Sequence, residues 1–307
     1  MVSVIMPFYN APLELTARAF ESVVSQGMEG IEVVVVDDGS SPESARGLED
    51  LVERFSEKIP IRLLRQENAG PAVARNRAVS EARYDILAQL DADDRWLPGK
   101  LARQVRYLRE HPEVWMVFGG MVVESDTGER LKYRGGDRRI RVFEQSPPFQ
   151  YLALLENNYV NNSTACFRRE GFERLGGYDP RFPPSEDADL WIRASRAGLV
   201  IRYLDVPMAV QVYHGGNISH RRQARRKAWL GILRRELESP PGFLARLPPG
   251  EVTRVHAAAW FRLGRYANHA GETALASRAF AQALRLRPGI GPALRWLGVS
   301  AKRLWGG

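Results

Sequence analysis

Four short apolar runs, each closed by polar or acidic residues and followed by a segment of helical spacing, constrain the first third of this chain. The strongest is Ile31-Glu32-Val33-Val34-Val35-Val36, β-branched at nearly every position, as suits a strand buried on both faces. It ends in Asp37-Asp38-Gly39-Ser40, after which Ser41 can cap a helix that has Pro42 at its first position. A similar run at 2–6 stops at Pro7, a third spans 61–64, and a fourth spans 85–90 and enters Asp91-Ala92-Asp93-Asp94. Between them, Leu15, Ala19, Phe20 and Val23 show helical spacing, Gly70-Pro71 opens a helix, and Leu97, Leu101, Val105 and Leu108 give the next one an apolar face. His111-Pro112 stops that last helix. The alternation predicts an α/β domain with a mostly parallel sheet and helices on both faces. Ligands of such sheets sit outside the carboxyl ends of the strands, where Asp37-Asp38 and Asp91/Asp93 both fall.

Three carboxylates at one strand end repel one another unless a cation sits there. Carboxylate oxygens suit Mg2+ or Mn2+, which also take substrate phosphates as ligands. The net charge of +8 favours anionic partners such as nucleotides, acidic glycans or anionic lipid. Of the 44 basic residues only five are lysine, and arginine suits planar phosphate and carboxylate groups. Cys166 is the only cysteine, so no intrachain disulfide can form. The start of the chain lacks the pattern of a signal peptide, and no uncharged run is long enough to span a membrane. The expected location is cytoplasmic.

Further along, 114–131 is strand-rich, 134–141 is a charged loop with glycines, and 149–155 is helical. A strand at 163–167 and a turn at Gly176-Gly177-Tyr178-Asp179 precede a helix opened by Ser185-Glu186-Asp187. Two closing strands are expected, at 200–204 and 209–213, before His214.

Taken together, these motifs resemble the family 2 glycosyltransferases of GT-A fold. The pieces that carry the resemblance are Val4-Ile5-Met6-Pro7-Phe8-Tyr9-Asn10, Val35-Val36-Asp37-Asp38-Gly39-Ser40, and 68–76 with its Arg75-Asn76. They continue in order with Asp91-Ala92-Asp93-Asp94, Gly176-Gly177-Tyr178-Asp179, Glu186-Asp187-Ala188-Asp189-Leu190-Trp191, and His214 with Asn217 and Ser219. The resemblance covers residues 1 to about 220. It implies transfer of a sugar from a nucleotide-diphosphate sugar, UDP-linked first and GDP- or dTDP-linked next, to a glycan or lipid-linked hydroxyl. Pro7 and Asp38 would line the base pocket, Tyr9 would join the donor-binding residues, Asp91 would lie near the ribose, and Arg75 near the nucleotide. Asp93 would bind Mn2+ or Mg2+, and His214 would approach the diphosphate or metal. Asp187 would be the general base with Glu186 beside it. An acceptor hydroxyl must lose its proton as it attacks, so a carboxylate within reach is needed, and a single displacement inverts the anomeric centre. The first helical turn lowers the pKa of Asp187 while burial and Glu186 raise it, a balance left open by sequence. No Q-x-x-R-W sequence is present, so one sugar per encounter is expected.

The expected domains are a GT-A domain over 1–220 and an all-α extension over 221–307. The extension opens with a basic amphipathic helix, Arg221-Arg222-Gln223-Ala224-Arg225-Arg226-Lys227 leading into Trp229, which offers a peripheral membrane contact or packs on its own domain. Pro240-Pro241-Gly242 and Pro248-Pro249-Gly250 mark a linker. Trp260, Leu263 and Gly264, followed by Ala276, Phe280, Ala283 and Pro288, resemble a single tetratricopeptide repeat closed by a helix over 294–305. No nucleic-acid partner is expected, and a homodimer is one of the assemblies left open. The competing readings are a non-catalytic nucleotide-sugar-binding scaffold and a sugar nucleotidyltransferase. The latter would carry a glycine-rich phosphate loop where Pro7-Phe8-Tyr9-Asn10 stands.

Overall fold

The computed structural model describes residues 1–125, 127–135, 138–213 and 222–288. Strands β1 (Val2–Phe8), β2 (Ile31–Asp38), β3 (Ile61–Gln66) and β4 (Ile86–Gln89) run parallel in the order β3-β2-β1-β4. Between them lie α1 (Leu13–Val24), α2 (Pro42–Ser56) and α3 (Pro71–Glu81), with α4 (Lys100–Glu110) after the fourth strand. Alternate residues of β2 enter two different cores: Val33 and Val35 pack with α1 and α2 residues, whereas Val34 and Val36 pack with Ala72, Ala74 and Ala78 of α3. A strand covered on both faces needs apolar side chains on both, which is why the valine run does not alternate.

Beyond β4 the sheet turns mixed. β5 (Asp94–Trp96), β6 (Val114–Ser125), β7 (Arg130–Arg134), β8 (Cys166–Arg168) and β9 (Val200–Tyr213) continue it in the order β4-β8-β6-β9-β5, with β7 on β6. β8 pairs antiparallel with both β4 and β6, while β6 and β9 pair parallel. The segment expected as a strand over 163–167 is shorter in that form, because 162–164 is a 3-10 turn in which Asn161 accepts from the Ser163 N–H.

The two expected closing strands are one. Asp205 and Pro207 suggest a break, but β9 stays paired with β6 and absorbs the extra residues as an irregularity beside Gly119 and Gly120. Proline costs one ladder hydrogen bond, and the bulge takes up that loss. A side chain at Gly119 would meet the Met208 Cγ at 2.3 Å, so the bulge can lean in only over glycine.

α5 (Pro147–Glu156), α6 (Arg169–Arg174), α7 (Glu186–Arg196), α8 (Arg222–Glu238), α9 (Pro249–His269) and α10 (Thr273–Leu286) complete the described chain. The apolar face of α8 does not lie open for a membrane. Trp229, Ile232 and Leu233 are buried in the same core as Tyr151 of α5 and Trp191 of α7. The proline-rich stretch between α8 and α9 is folded too, with a 3-10 helix over Gly242–Arg246 and Leu244 buried. The helix expected at 294–305 lies outside the described residues, among which no helix is long and apolar enough to cross a membrane.

α9 and α10 meet where Gly264 faces the Phe280 ring, and a Cβ there would come within 2.8 Å of that ring. Gly264→Ala therefore gains about 1 kcal/mol of helix propensity but forces a buried aromatic to shift, a cost of about 1–3 kcal/mol. The expected net result is a lower Tm by thermal denaturation.

Candidate active site

A cleft of about 1510 Å³ opens at the carboxyl ends of β1, β2 and β4. Pro7, Tyr9, Asp38, Arg75, Asp91, Asp93, Glu186 and Asp187 all line it, although they come from segments up to 180 residues apart, from Pro7 to Asp187. His214 lies outside the described residues.

The loops after β1 and β2 are tied together before any ligand arrives. The Asn10 N–H donates to Ser40 Oγ at 3.0 Å, and the Ser41 N–H donates to Asn10 Oδ1 at 2.9 Å. Asn10 holds a positive φ of 46°, which asparagine tolerates better than most residues.

Asp38 lines the cleft and is held in place by the residues beside it. Its Oδ1 accepts from Gln66 Nε2 at 2.7 Å and the Ala69 N–H at 2.9 Å, and its Oδ2 accepts from the Gly70 N–H at 2.8 Å. Those amides lie at the amino end of α3, where unsatisfied N–H groups attract a carboxylate. Asp38 thus fixes the cleft wall formed by 67–70.

Arg75 lines the same cleft. Its Nη2 donates to Asp91 Oδ1 at 2.7 Å and its Nη1 to Glu186 Oε1 at 2.6 Å. The guanidinium is committed to these two carboxylates and lies over the Tyr178 ring. Burial opposes its charge, but Asp91 and Glu186 more than offset that and hold it protonated. Asn76, the next residue, pins the glycine turn: its Oδ1 accepts from the Tyr178 N–H and its Nδ2 donates to the Tyr178 carbonyl, both at 2.8 Å.

Glu186 and Asp187 form the first turn of α7. Asp187 Oδ1 accepts from the Ala188 N–H at 2.7 Å and Oδ2 from Asn158 Nδ2 at 2.9 Å. Desolvation, then the Glu186 charge, outweigh these hydrogen bonds and push the Asp187 carboxyl up to about 7. The contest between helix dipole and burial is decided for burial. Asn158, in a stretch that matched no pattern, is a cleft residue that sequence reasoning missed.

From behind, α7 is clamped by buried charges. Asp189 accepts from Arg193 Nε at 2.7 Å and from Arg235 Nη1 of α8 at 2.6 Å. Glu236 of α8 accepts from Arg196 at 2.8 Å and from the Tyr151 hydroxyl at 3.0 Å.

At the start of β5, Asp94 is buried. Ser163 Oγ donates to its Oδ2 at 2.5 Å, while its Oδ1 has no hydrogen-bond partner. Burial, then Asp93 and Asp91, hold its carboxyl well above the usual range. Among the described residues no three His, Cys, Asp or Glu side chains form a ready metal cage. Asp91 and Asp93, which line the cleft, are the carboxylates that a Mg2+ or Mn2+ ion would take.

With this geometry in view, a sequence profile described as Glycosyl transferase family 2 matches residues 3–176, more than half of the chain. The chain belongs to that family. It is a glycosyltransferase. Among its relatives is the amylovoran biosynthesis glycosyltransferase AmsE of Erwinia amylovora, 28% identical over 214 residues, which are 69% of this chain and 76% of AmsE. Two solved structures share the fold. TarS of S. aureus in complex with UDP-GlcNAc has a TM-score of 0.63 at 16% identity, covering 99% of this chain and 92% of that one. The mannosyltransferase PcManGT of Pyrobaculum calidifontis, in complex with GDP-Man and Mn2+, has a TM-score of 0.61 at 21% identity, covering 99% and 87%. The profile ends before α7, so the placement of Glu186 and Asp187 rests on the geometry above.

Proposed function

We propose that this glycosyltransferase moves a sugar from a nucleoside-diphosphate sugar to an acceptor hydroxyl by one displacement, inverting the anomeric centre and releasing the product after each transfer. The observation that carries this reading is the placement of Asp187, held by Asn158, on the wall of the cleft that also holds Asp91 and Asp93, where burial pushes its carboxyl up to about 7. A general base works best when its pKa lies near the working pH.

In this reading Asp187 takes the proton of the attacking hydroxyl, and Asn158 orients its carboxylate. Glu186, held by Arg75, keeps a negative charge beside Asp187 and so keeps it basic. Arg75 connects Asp91 on the donor side to Glu186 on the acceptor side. Pro7, Tyr9 and the loop fixed by Asp38 form the nucleotide wall. A Mn2+ or Mg2+ ion bound at Asp93 would offset the charge of the departing diphosphate. TarS is solved with UDP-GlcNAc and PcManGT with GDP-Man, which supports a nucleotide-sugar donor here. Residues 1–220 handle the donor and the base, and the C-terminal helices close the acceptor side. The acceptor is a glycan, free or lipid-linked, met on the cytoplasmic side.

Thermal shift against UDP, GDP and dTDP, with and without Mn2+, tests the donor site. Ligand at a hundred times its Kd adds about 2.7 kcal/mol of stability. One nucleotide is expected to raise Tm only when Mn2+ is present, and Asp93→Ala is expected to abolish that dependence with the unliganded Tm retained. A response from no nucleotide sinks the donor assignment. Anomeric configuration of the product by NMR tests inversion.

A further inference from the structure

We propose that the acceptor is an anionic glycan, bearing phosphate or carboxylate groups along the part of the chain that lies in the cleft beside the reacting hydroxyl. This rests on the glycosyltransferase reading above and adds the class of acceptor to it.

The cleft has walls of opposite sign. The ends of β4 and α7 supply carboxylates, whereas β7 and α8 supply Lys132, Arg134, Arg222, Arg225 and Arg226. Four of these five are exposed and Arg226 is half-buried. None of the five forms an ion pair with a carboxylate among the described residues. Deeper in the chain, Arg75, Arg193 and Arg235 are matched to acids.

The stripe on α8 is built rather than scattered. Arg222, Arg225, Arg226 and Trp229 stand at i, i+3, i+4 and i+7, one face of a helix, and all four line the cleft. Trp229 anchors that face: its ring is buried and carries the Arg262 guanidinium at 4.4 Å. Arg262 in turn donates to the carbonyls of Leu155 and Glu156 at the carboxyl end of α5. The basic face therefore points into the catalytic cleft because the helix is fastened to the catalytic core by its other residues.

The donor does not account for these charges. A divalent ion held by the carboxylates would take the donor diphosphate at the far wall, and of the five cations only Arg134 acts on a carboxylate, Asp94. Like charges gathered around one low-dielectric cleft repel, and an anionic ligand offsets that repulsion. A polymer with a charge on each repeat would meet β7 and α8 together.

Fluorescence anisotropy with the full chain, saturated with UDP and Mn2+, tests this. The probes are labelled oligomers of equal length: poly(glycerol phosphate), oligogalacturonate and dextran. At low salt both anionic oligomers, or one of them, should bind at least about tenfold more tightly than dextran and weaken as salt rises. Which of the two binds separates phosphate from carboxylate. The double variant R222Q/R225Q changes only exposed side chains, and it should lower the affinity for the anionic oligomer about five- to tenfold with UDP affinity unchanged. The proposal is overturned if dextran binds as well, if the double variant leaves oligomer binding intact, or if it weakens UDP instead, since the charges would then serve the donor. If the wild-type chain binds no nucleotide, the donor reading fails, and the same titration without UDP still decides whether the anion site stands.

Discussion

Replacing Asp187 by Asn lowers kcat by about 10²–10⁴ while the donor nucleotide binds with nearly unchanged affinity. In the unaltered enzyme kcat/KM climbs about tenfold per pH unit below 7 and levels off above it, because only the ionised carboxylate accepts the proton. That limb disappears in Asp187→Asn. Stability moves the opposite way. A carboxyl whose folded pKa lies above its ordinary value of 3.8 contributes stability that is complete below about pH 4 and is lost as pH rises through about 7. Asparagine never ionises, so Asp187→Asn should melt higher than the parent at pH 8, by on the order of a few degrees, with the gap closing toward pH 4. Melting curves at the two pH values, run beside the kinetics, check both halves. Equal kcat in the variant removes Asp187 from the reaction.

The second large effect belongs to Arg75. Its guanidinium holds Asp91 and Glu186 at 2.7 and 2.6 Å, with Arg75 and Glu186 both buried. Removing one member of a buried pair strands the others and costs about 3–5 kcal/mol. For a chain of this size Arg75→Ala should lower Tm by roughly 6–20 °C. Lysine, a point charge, cannot serve two carboxylates in the manner of a planar fork, so Arg75→Lys should recover little. Adding Glu186→Gln to Arg75→Ala removes one stranded charge and should return part of the loss, as a double-mutant cycle would show. A Tm drop under 2 °C for Arg75→Ala would mean that water serves these carboxylates equally well.

The parallel half of the sheet was legible because its signals are local. β2 announces itself by six residues buried on both faces, and Ser41-Pro42 marks the start of the next helix with a side-chain cap that Ser44 N–H completes. The residues of the cleft were legible as types at strand ends, but not their bonds. Arg75 meets Glu186 across 111 positions, and nothing near either residue records the other. Asp38 read as a ligand residue, but its bonds to Gln66, Ala69 and Gly70 were not legible, because they exist only once β2 and β3 pair. The interrupted reading of β9 came from Pro207 and Asp205, whose disruption is absorbed by glycines on a different strand. For α8 the sequence left two partners open, because a helix face that fits a membrane fits a protein core equally well, and Trp229, Ile232 and Leu233 went into the core.

The ion cluster behind α7 bears on how such a chain could be rebuilt. Asp189 sits on the helix that carries Asp187, and Glu236 sits on α8; both are buried, and Arg235 of α8 serves them both. A chimera joining this catalytic portion to an unrelated tail would abandon Asp189 with half its counter-charge, and the reciprocal chimera would do the same to Glu236. Acceptor preference therefore cannot be exchanged by swapping the tail as a cassette. The arginine face and the clamp behind the catalytic helix travel on one helix, so grafts that keep Asp189, Arg193, Arg196, Arg235 and Glu236 as a set are those expected to retain turnover.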